Sequence, residues 1–169
     1  IRRHAFVLAL LVAGLSIGCD GGRPGQPAGR KSADVPGVAP NGHAWPVGAG
    51  YIEGLPLFNN DGQSEITVDN RSNGSNVFVK LVEQGAGGSR AVRQFHIPRG
   101  GRFTLRDVSP GNYEIRYMDL SSGHAAKSTP FRIDERRTAA GIEYSSFTLT
   151  LYTVANGNMR MQTLAAGEF

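Results

Sequence analysis

The chain is 169 residues long, with 18 Lys and Arg against 14 Asp and Glu, a formal net charge of +4 and one cysteine. A lone cysteine excludes a disulfide framework. The 119 residues beyond position 50 suffice for one sandwich-sized domain with extensions, and no internal repeat divides them. At the amino terminus, Arg2 and Arg3 precede an uncharged, mostly apolar run, residues 5–17, and then Gly18 and Cys19. A basic start, a short apolar stretch and a small residue before the cut make a secretory signal. The run is too short to span a bilayer, which takes about 20 residues. An opening Ile1 in place of Met implies that the true start lies elsewhere.

Cys19 closes the sequence Leu15-Ser16-Ile17-Gly18-Cys19, which resembles the lipobox of bacterial lipoproteins, with Leu15 four residues before the cysteine where three is usual. The resemblance implies that Cys19 is acylated and anchors the chain to a membrane of the bacterial cell envelope, facing the periplasm or the exterior. Two or three acyl chains would hold it stably, where one gives only marginal binding. Asp20 stands where an aspartate favours inner-membrane retention in enterobacterial lipoproteins. Residues 20–50 hold five prolines and eight glycines without apolar periodicity. They read as a flexible, disordered tether of roughly 30 Å by random-coil scaling. His43 and Trp45 at its end read as a loop or as a pair docked on the body.

From residue 51 to 169 the sequence predicts an all-β, antiparallel sandwich of about seven or eight strands. The predicted strands are 65–70, 76–82, 91–97, 102–107, 113–119, 129–134, 144–154 and 159–164, with turn residues between them. Gly101 to Leu120 alternates most clearly: Phe103 and Leu105 on one face, then Tyr113, Ile115 and Tyr117 on another. Ser109-Pro110-Gly111-Asn112 between them predicts a hairpin with a type II turn, Gly111 taking positive φ. Asn156-Gly157 predicts a second hairpin, folding 147–154 onto 159–164. Alternation places Ile66, Val68, Val77, Val79, Leu81, Phe95, Ile97, Phe103, Leu105, Tyr113, Ile115, Phe131, Ile133, Phe147, Leu149 and Leu151 in the core. Phe78 and Val82 fall on the opposite face of their strand, which is therefore covered on both sides or meets the long tail.

The pattern formed by Phe103, Leu105, Val108, Pro110, Gly111, Tyr113 and Ile115 resembles the signature hairpin of prealbumin-like sandwiches, among them the carboxypeptidase regulatory-like and Cna-B-like modules of bacterial surface proteins. That resemblance implies a spacer, stalk or binding module. The internal isopeptide bond of some Cna-B-like members is not carried over, because the body has only Lys80 and Lys127.

A catalytic constellation is not legible. There is no G-x-S-x-G elbow, P-loop or G-x-G-x-x-G after a strand, and His96 and His124 lack metal-ligand spacing. His96 reads as a surface residue and His124 as an exposed loop residue. Asp69, Asn70 and Asn73 form an oxygen-rich loop, but Asx-rich turns arise for backbone reasons, so no metal and no cofactor is expected. Arg90, Arg93, Arg99, Arg102, Arg106 and Arg116 cluster within 27 residues. If Arg93, Arg102, Arg106 and Arg116 face outward together, they form a basic interaction face for headgroups, wall polymers or an acidic protein. Without Arg2 and Arg3 the net charge is near +2, and an envelope location argues against nucleic acid as partner. The expected role is a non-catalytic protein-interaction or scaffolding module. The competing role, glycan or peptidoglycan binding, calls for a row of exposed aromatics, with Trp45, Tyr51, Tyr117, Tyr144 and Tyr152 as candidates.

Overall fold

In the computed structural model, which describes residues 35–151, 161–165 and 167–169, apolar residues at every second position give strands almost throughout. In chain order these are β1 (Gly50–Tyr51), β2 (Ser64–Asp69), β3 (Val77–Gly85), β4 (Gly88–Ile97), β5 (Arg102–Val108), β6 (Gly111–Asp119), β7 (Ala125–Ser128), β8 (Phe131–Ile133), β9 (Glu135–Thr138), β10 (Gly141–Tyr144), β11 (Ser146–Thr150) and β12 (Met161–Thr163). Among the described residues there is no helix. The described residues belong to a unit spanning Lys31–Phe169. Cys19, with the rest of the signal-like segment and most of the tether, lies outside the described residues, as does Tyr152.

Two main layers form the sandwich. The larger sheet runs β1-β4-β3-β6-β7-β12, with β8 also paired to β6; the smaller runs β11-β2-β5, and β9 with β10 makes a separate hairpin. Pairing is antiparallel except for β11, which lies parallel to β2. The core between the layers takes Val77, Val79, Leu81, Phe95, Ile97, Tyr113 and Ile115 from the larger sheet and Ile66, Val68, Leu105 and Leu149 from the smaller, all at most 4% exposed. Every residue that alternation assigned to the core lies in this cluster or packs against it. At about 1.5–3 kcal/mol for each large side chain fully buried, it offsets chain entropy with no covalent staple.

Three features differ from the sequence expectation. β5 and β6 do not form a hairpin: β5 pairs with β2 and β6 with β3, so Ser109 and Pro110 cross from one sheet to the other. Gly111 does not take positive φ; along this stretch Asp107 does, at φ 57. The glycine is needed for space instead, because a Cβ there would stand 3.0 Å from the Tyr113 ring and hydroxyl. That hydroxyl donates to the Ser109 carbonyl at 2.9 Å and accepts from Asn59 Nδ2 at 2.9 Å. Pro-Gly-x-Tyr is thus a tyrosine corner, which ties a strand to the backbone just upstream of it. Third, among the described residues β11 pairs with β2 and β12 with β7 in the larger sheet, while the expected turn at Asn156-Gly157 lies outside them. Strand β7 and the β9–β10 hairpin were not expected, because Ala-Ala-Lys-Ser and Glu-Arg-Arg-Thr carry weak apolar alternation.

The tether ends earlier than residue 50. Ala39 and Trp45 lie with Ile52 and Leu55 on Phe78, on the far side of the larger sheet, and Phe169 closes the same cluster. Trp45 and Phe78 ring centroids are 5.3 Å apart, and Trp45 Nε1 donates to the Pro36 carbonyl at 2.9 Å. The following residues run along the outer edge of β4, Ile52 N–H donating to Gln94 O and Phe58 N–H to Val92 O. Strand β3 is therefore covered on both faces, as Phe78 and Val82 implied.

Removing the Tyr113 hydroxyl leaves Asn59 and the Ser109 carbonyl each short of a partner. Tyr113→Phe is expected to cost about 1–3 kcal/mol in urea unfolding. Gly111→Ala should destabilise by a similar amount, about 1–3 kcal/mol, through overpacking. A wild-type midpoint for Gly111→Ala would contradict the close approach of ring and backbone.

Candidate functional site

The four arginines do not share a face. Arg102 and Arg106 are exposed on the outer side of β5, while Arg116 lies on the outer side of the larger sheet, across the sandwich. Arg116 is held by the nearly buried Glu114 at 2.6 Å and by the Glu168 carbonyl at 2.6 Å. Arg106 pairs with Glu65. Arg93 is 1% exposed and points into the sandwich, where it donates to the carbonyls of Val92 and Asn59 at 3.3 and 2.9 Å. The expected basic face is corrected accordingly: β5 separates from β6 into the other layer, and Arg93 shares the parity of Phe95 and Ile97. That parity was the signal in the sequence that marked it as inward.

Among the described residues the aromatic candidates do not form a platform either. Tyr51 meets Phe95 and Phe103 edge-on at 6.4 and 5.1 Å, and Tyr117 packs against the main core. Burial pushes the Tyr117 hydroxyl above the usual phenol range, with Asp119 adding to it. Trp45 faces Phe78 and, at 6.0 Å, His96. Among the described candidates only Tyr144 stands open, on β10, and Tyr152 lies outside the described residues. His96 is not a surface residue: it is fully buried beneath the segment preceding β1, its Nδ1 3.0 Å from the Gly48 carbonyl. Strand parity had placed it outward correctly, but the covering segment has no periodic signal.

The oxygen-rich loop is occupied with its own backbone. Asp69 is held below the usual carboxylate range, chiefly by the Arg71 side chain. Asn70 Oδ1 accepts from Asn73, and its amide donates to the carbonyls of Ser75 and Pro98 at 3.0 Å. Among the described residues no group of three or more His, Cys, Asp or Glu is placed to hold a metal. Beside this loop Asp119 accepts from Ser75 Oγ, Ser121 N–H and Oγ, and Ser122 N–H. Burial alone would raise its pKa, but these donors outweigh it and hold it at about 2.

A cavity of about 190 Å3 opens where the edge of the larger sheet meets β5. Arg93, Arg106 and Asp107 supply its charges, and Tyr51, Leu57 and Asn60 much of the rest of its wall. Sequence reading missed this site, although the Leu105-to-Val108 spacing of three, which breaks the period of two, marks the bulge beside it. No protein-family model, curated protein or solved structure matches the chain.

A carboxylate whose folded pKa lies below its unfolded value stabilises the fold above the unfolded pKa and ceases to do so as pH falls through the folded one. Stability is therefore expected to drop between about pH 4 and pH 2 as Asp119 takes up its proton. Asp119→Asn should flatten that part of the curve in acid-dependent urea titrations; an unchanged slope would exclude Asp119 as its source.

Proposed function

We propose that the chain is a lipid-anchored protein of a bacterial cell envelope, held to the membrane through acylated Cys19, with a prealbumin-like sandwich that serves as a non-catalytic protein-interaction module. The segment from Arg2 to Cys19 supports the anchor, by the chemistry of its basic start, apolar run and terminal cysteine. The observation that carries the interaction is the edge of β5. Among the described residues β5 pairs only with β2, so its other edge offers unpaired backbone donors and acceptors. The corresponding edge of β4 is covered by Gly50 to Phe58. An open edge recruits an extended strand by main-chain hydrogen bonding. Arg102 and Arg106 beside it disfavour pairing between copies of this chain and favour an acidic partner strand. The inward placement of Tyr51, Trp45 and Tyr117 favours a protein partner over a glycan.

Fractionation and site-specific cross-linking test the two halves separately. Cys19→Ala should move the protein from the membrane to the soluble fraction; unchanged fractionation would overturn lipidation. A photo-reactive side chain at Thr104, on β5, should give a discrete adduct in intact envelopes that Arg102→Glu with Arg106→Glu abolishes. The same probe at Tyr144 should give none. Equal adducts from both positions would overturn pairing at β5.

A further inference from the structure

Two bulges bring opposite charges to one cavity. In β4, Leu81 faces Arg93 while Val82 faces Ala91, so Val92 is an extra residue. In β5, Ile66 faces Leu105 while Ser64 faces Val108, which leaves an extra residue at Arg106 and Asp107, the latter at φ 57. Bulges bend a strand and re-aim its side chains, and they concentrate beside binding sites. A left-handed backbone at a residue other than glycine is likewise a strained arrangement that such sites retain.

Among the described residues, the re-aimed Arg93 is buried without a counter-charge, while the re-aimed Asp107 is exposed and forms no ion pair. Arg93 is 1% exposed, yet among the described residues its guanidinium meets two neutral carbonyls and no carboxylate. A guanidinium has five N–H donors, and a buried charge without a counter-charge carries a desolvation cost that only a partner offsets. Asp107 lines the same cavity, and its carboxylate has no hydrogen bond or ion pair among the described residues, to Arg93 or to any other group. The remaining cation, Arg106, is already engaged by Glu65. A simple anion placed here would meet repulsion from Asp107, and a simple cation repulsion from Arg93. A ligand carrying both charges satisfies each.

We propose that this cavity binds a free amino acid as its zwitterion, with the carboxylate on the Arg93 guanidinium and the ammonium on the Asp107 carboxylate. Charge-assisted bonds to a guanidinium fork and to a carboxylate are the strong class of hydrogen bond. A volume of about 190 Å3 admits a single amino acid and no folded segment. Leu57 and Tyr51 give its side chain a partly apolar wall. The proposal goes beyond strand pairing at β5 and does not depend on the anchor.

Calorimetry and saturation-transfer NMR on the full chain carrying Cys19→Ala test it, with L-alanine, D-alanine and L-leucine as zwitterions. The controls are N-acetylalanine, which lacks the ammonium, alaninamide, which lacks the carboxylate, and alanylalanine, in which the charges stand farther apart. At least one free amino acid should bind roughly tenfold or more tighter than any of the three controls. Asp107→Asn keeps a residue at ease in left-handed backbone; it should lower amino-acid affinity roughly tenfold while leaving the thermal midpoint in place. Arg93→Lys should lower it as well, and its melting curve reports whether the fold survives. N-acetylalanine binding as tightly as alanine would show an anion site alone, and tighter binding of alanylalanine a peptide site; either overturns the proposal. Failure of all three amino acids to bind at millimolar concentration, or an Asp107→Asn protein with wild-type affinity, overturns it too. Amino-acid binding that persists while the Thr104 adduct is absent would sink the β5 reading and leave this one standing.

Discussion

The structure depends on β3 being apolar on both faces. Val77, Val79 and Leu81 look into the sandwich, while Phe78 and Val82 on the other side are 4% and 3% exposed. A strand with a single apolar face needs one covering layer; this one needs two. The smaller sheet supplies the first. The second is assembled from the chain before β1, through Ala39 and Trp45, and from the end of the chain, through Phe169, whose ring lies 5.5 Å from Phe78. The Lys80 ammonium sits 4.3 Å from the centre of the Phe169 ring, and burial, with Arg116 beside it, holds its pKa below the usual lysine range. The stem of the lysine extends the apolar cover while its charge is met by the aromatic faces.

That cover decides which surfaces remain for function. The segment that begins at Ala39 and passes Trp45 continues along β4 as Gly50 to Phe58, which closes one sheet edge and sets Tyr51 and Leu57 at the mouth of the cavity. His96 is buried by the same segment, with Nε2 left without a partner among the described residues. With the outer face of the larger sheet and the β4 edge both occupied, the edge of β5, unpaired among the described residues, and the cavity next to it stand together on one side of the sandwich. The arginines divide along the same line. Arg116 is consumed by local pairing with Glu114, whereas Arg102 and Arg106 flank the open edge.

Much of the fold was legible because burial follows strand parity. Phe103 and Leu105, or Ile66 and Val68, could occupy the core only if alternate residues faced it, and they do. Parity also marked Arg93 as inward, though its charge argued for the surface. What parity does not encode is which strands pair. Gly101 to Leu120 has the look of a hairpin, yet Pro110 and Gly111 carry the chain across the core, because the Tyr113 ring needs the space that a Cβ at position 111 would fill. The covering segment was illegible for another reason. Its glycines and prolines mark a tether by composition, and the few side chains that anchor it, Ala39 and Trp45, show no period. The cavity depends on two bulges, and a bulge is visible in sequence only as a break in alternation such as that between Leu105 and Val108.

Trp45 is the only tryptophan in the chain, so its fluorescence reports on the covering segment alone, while far-UV circular dichroism reports on the sheets. Following both through urea unfolding of the full chain tests whether the segment is part of the cooperative unit that closes the outer face and the β4 edge. Coincident midpoints and slopes are expected, with Trp45 emission blue-shifted until the sheets melt. A Trp45 transition completed at lower urea than the loss of β-structure would contradict the account, because the outer face of β3 would then lie open in the folded protein.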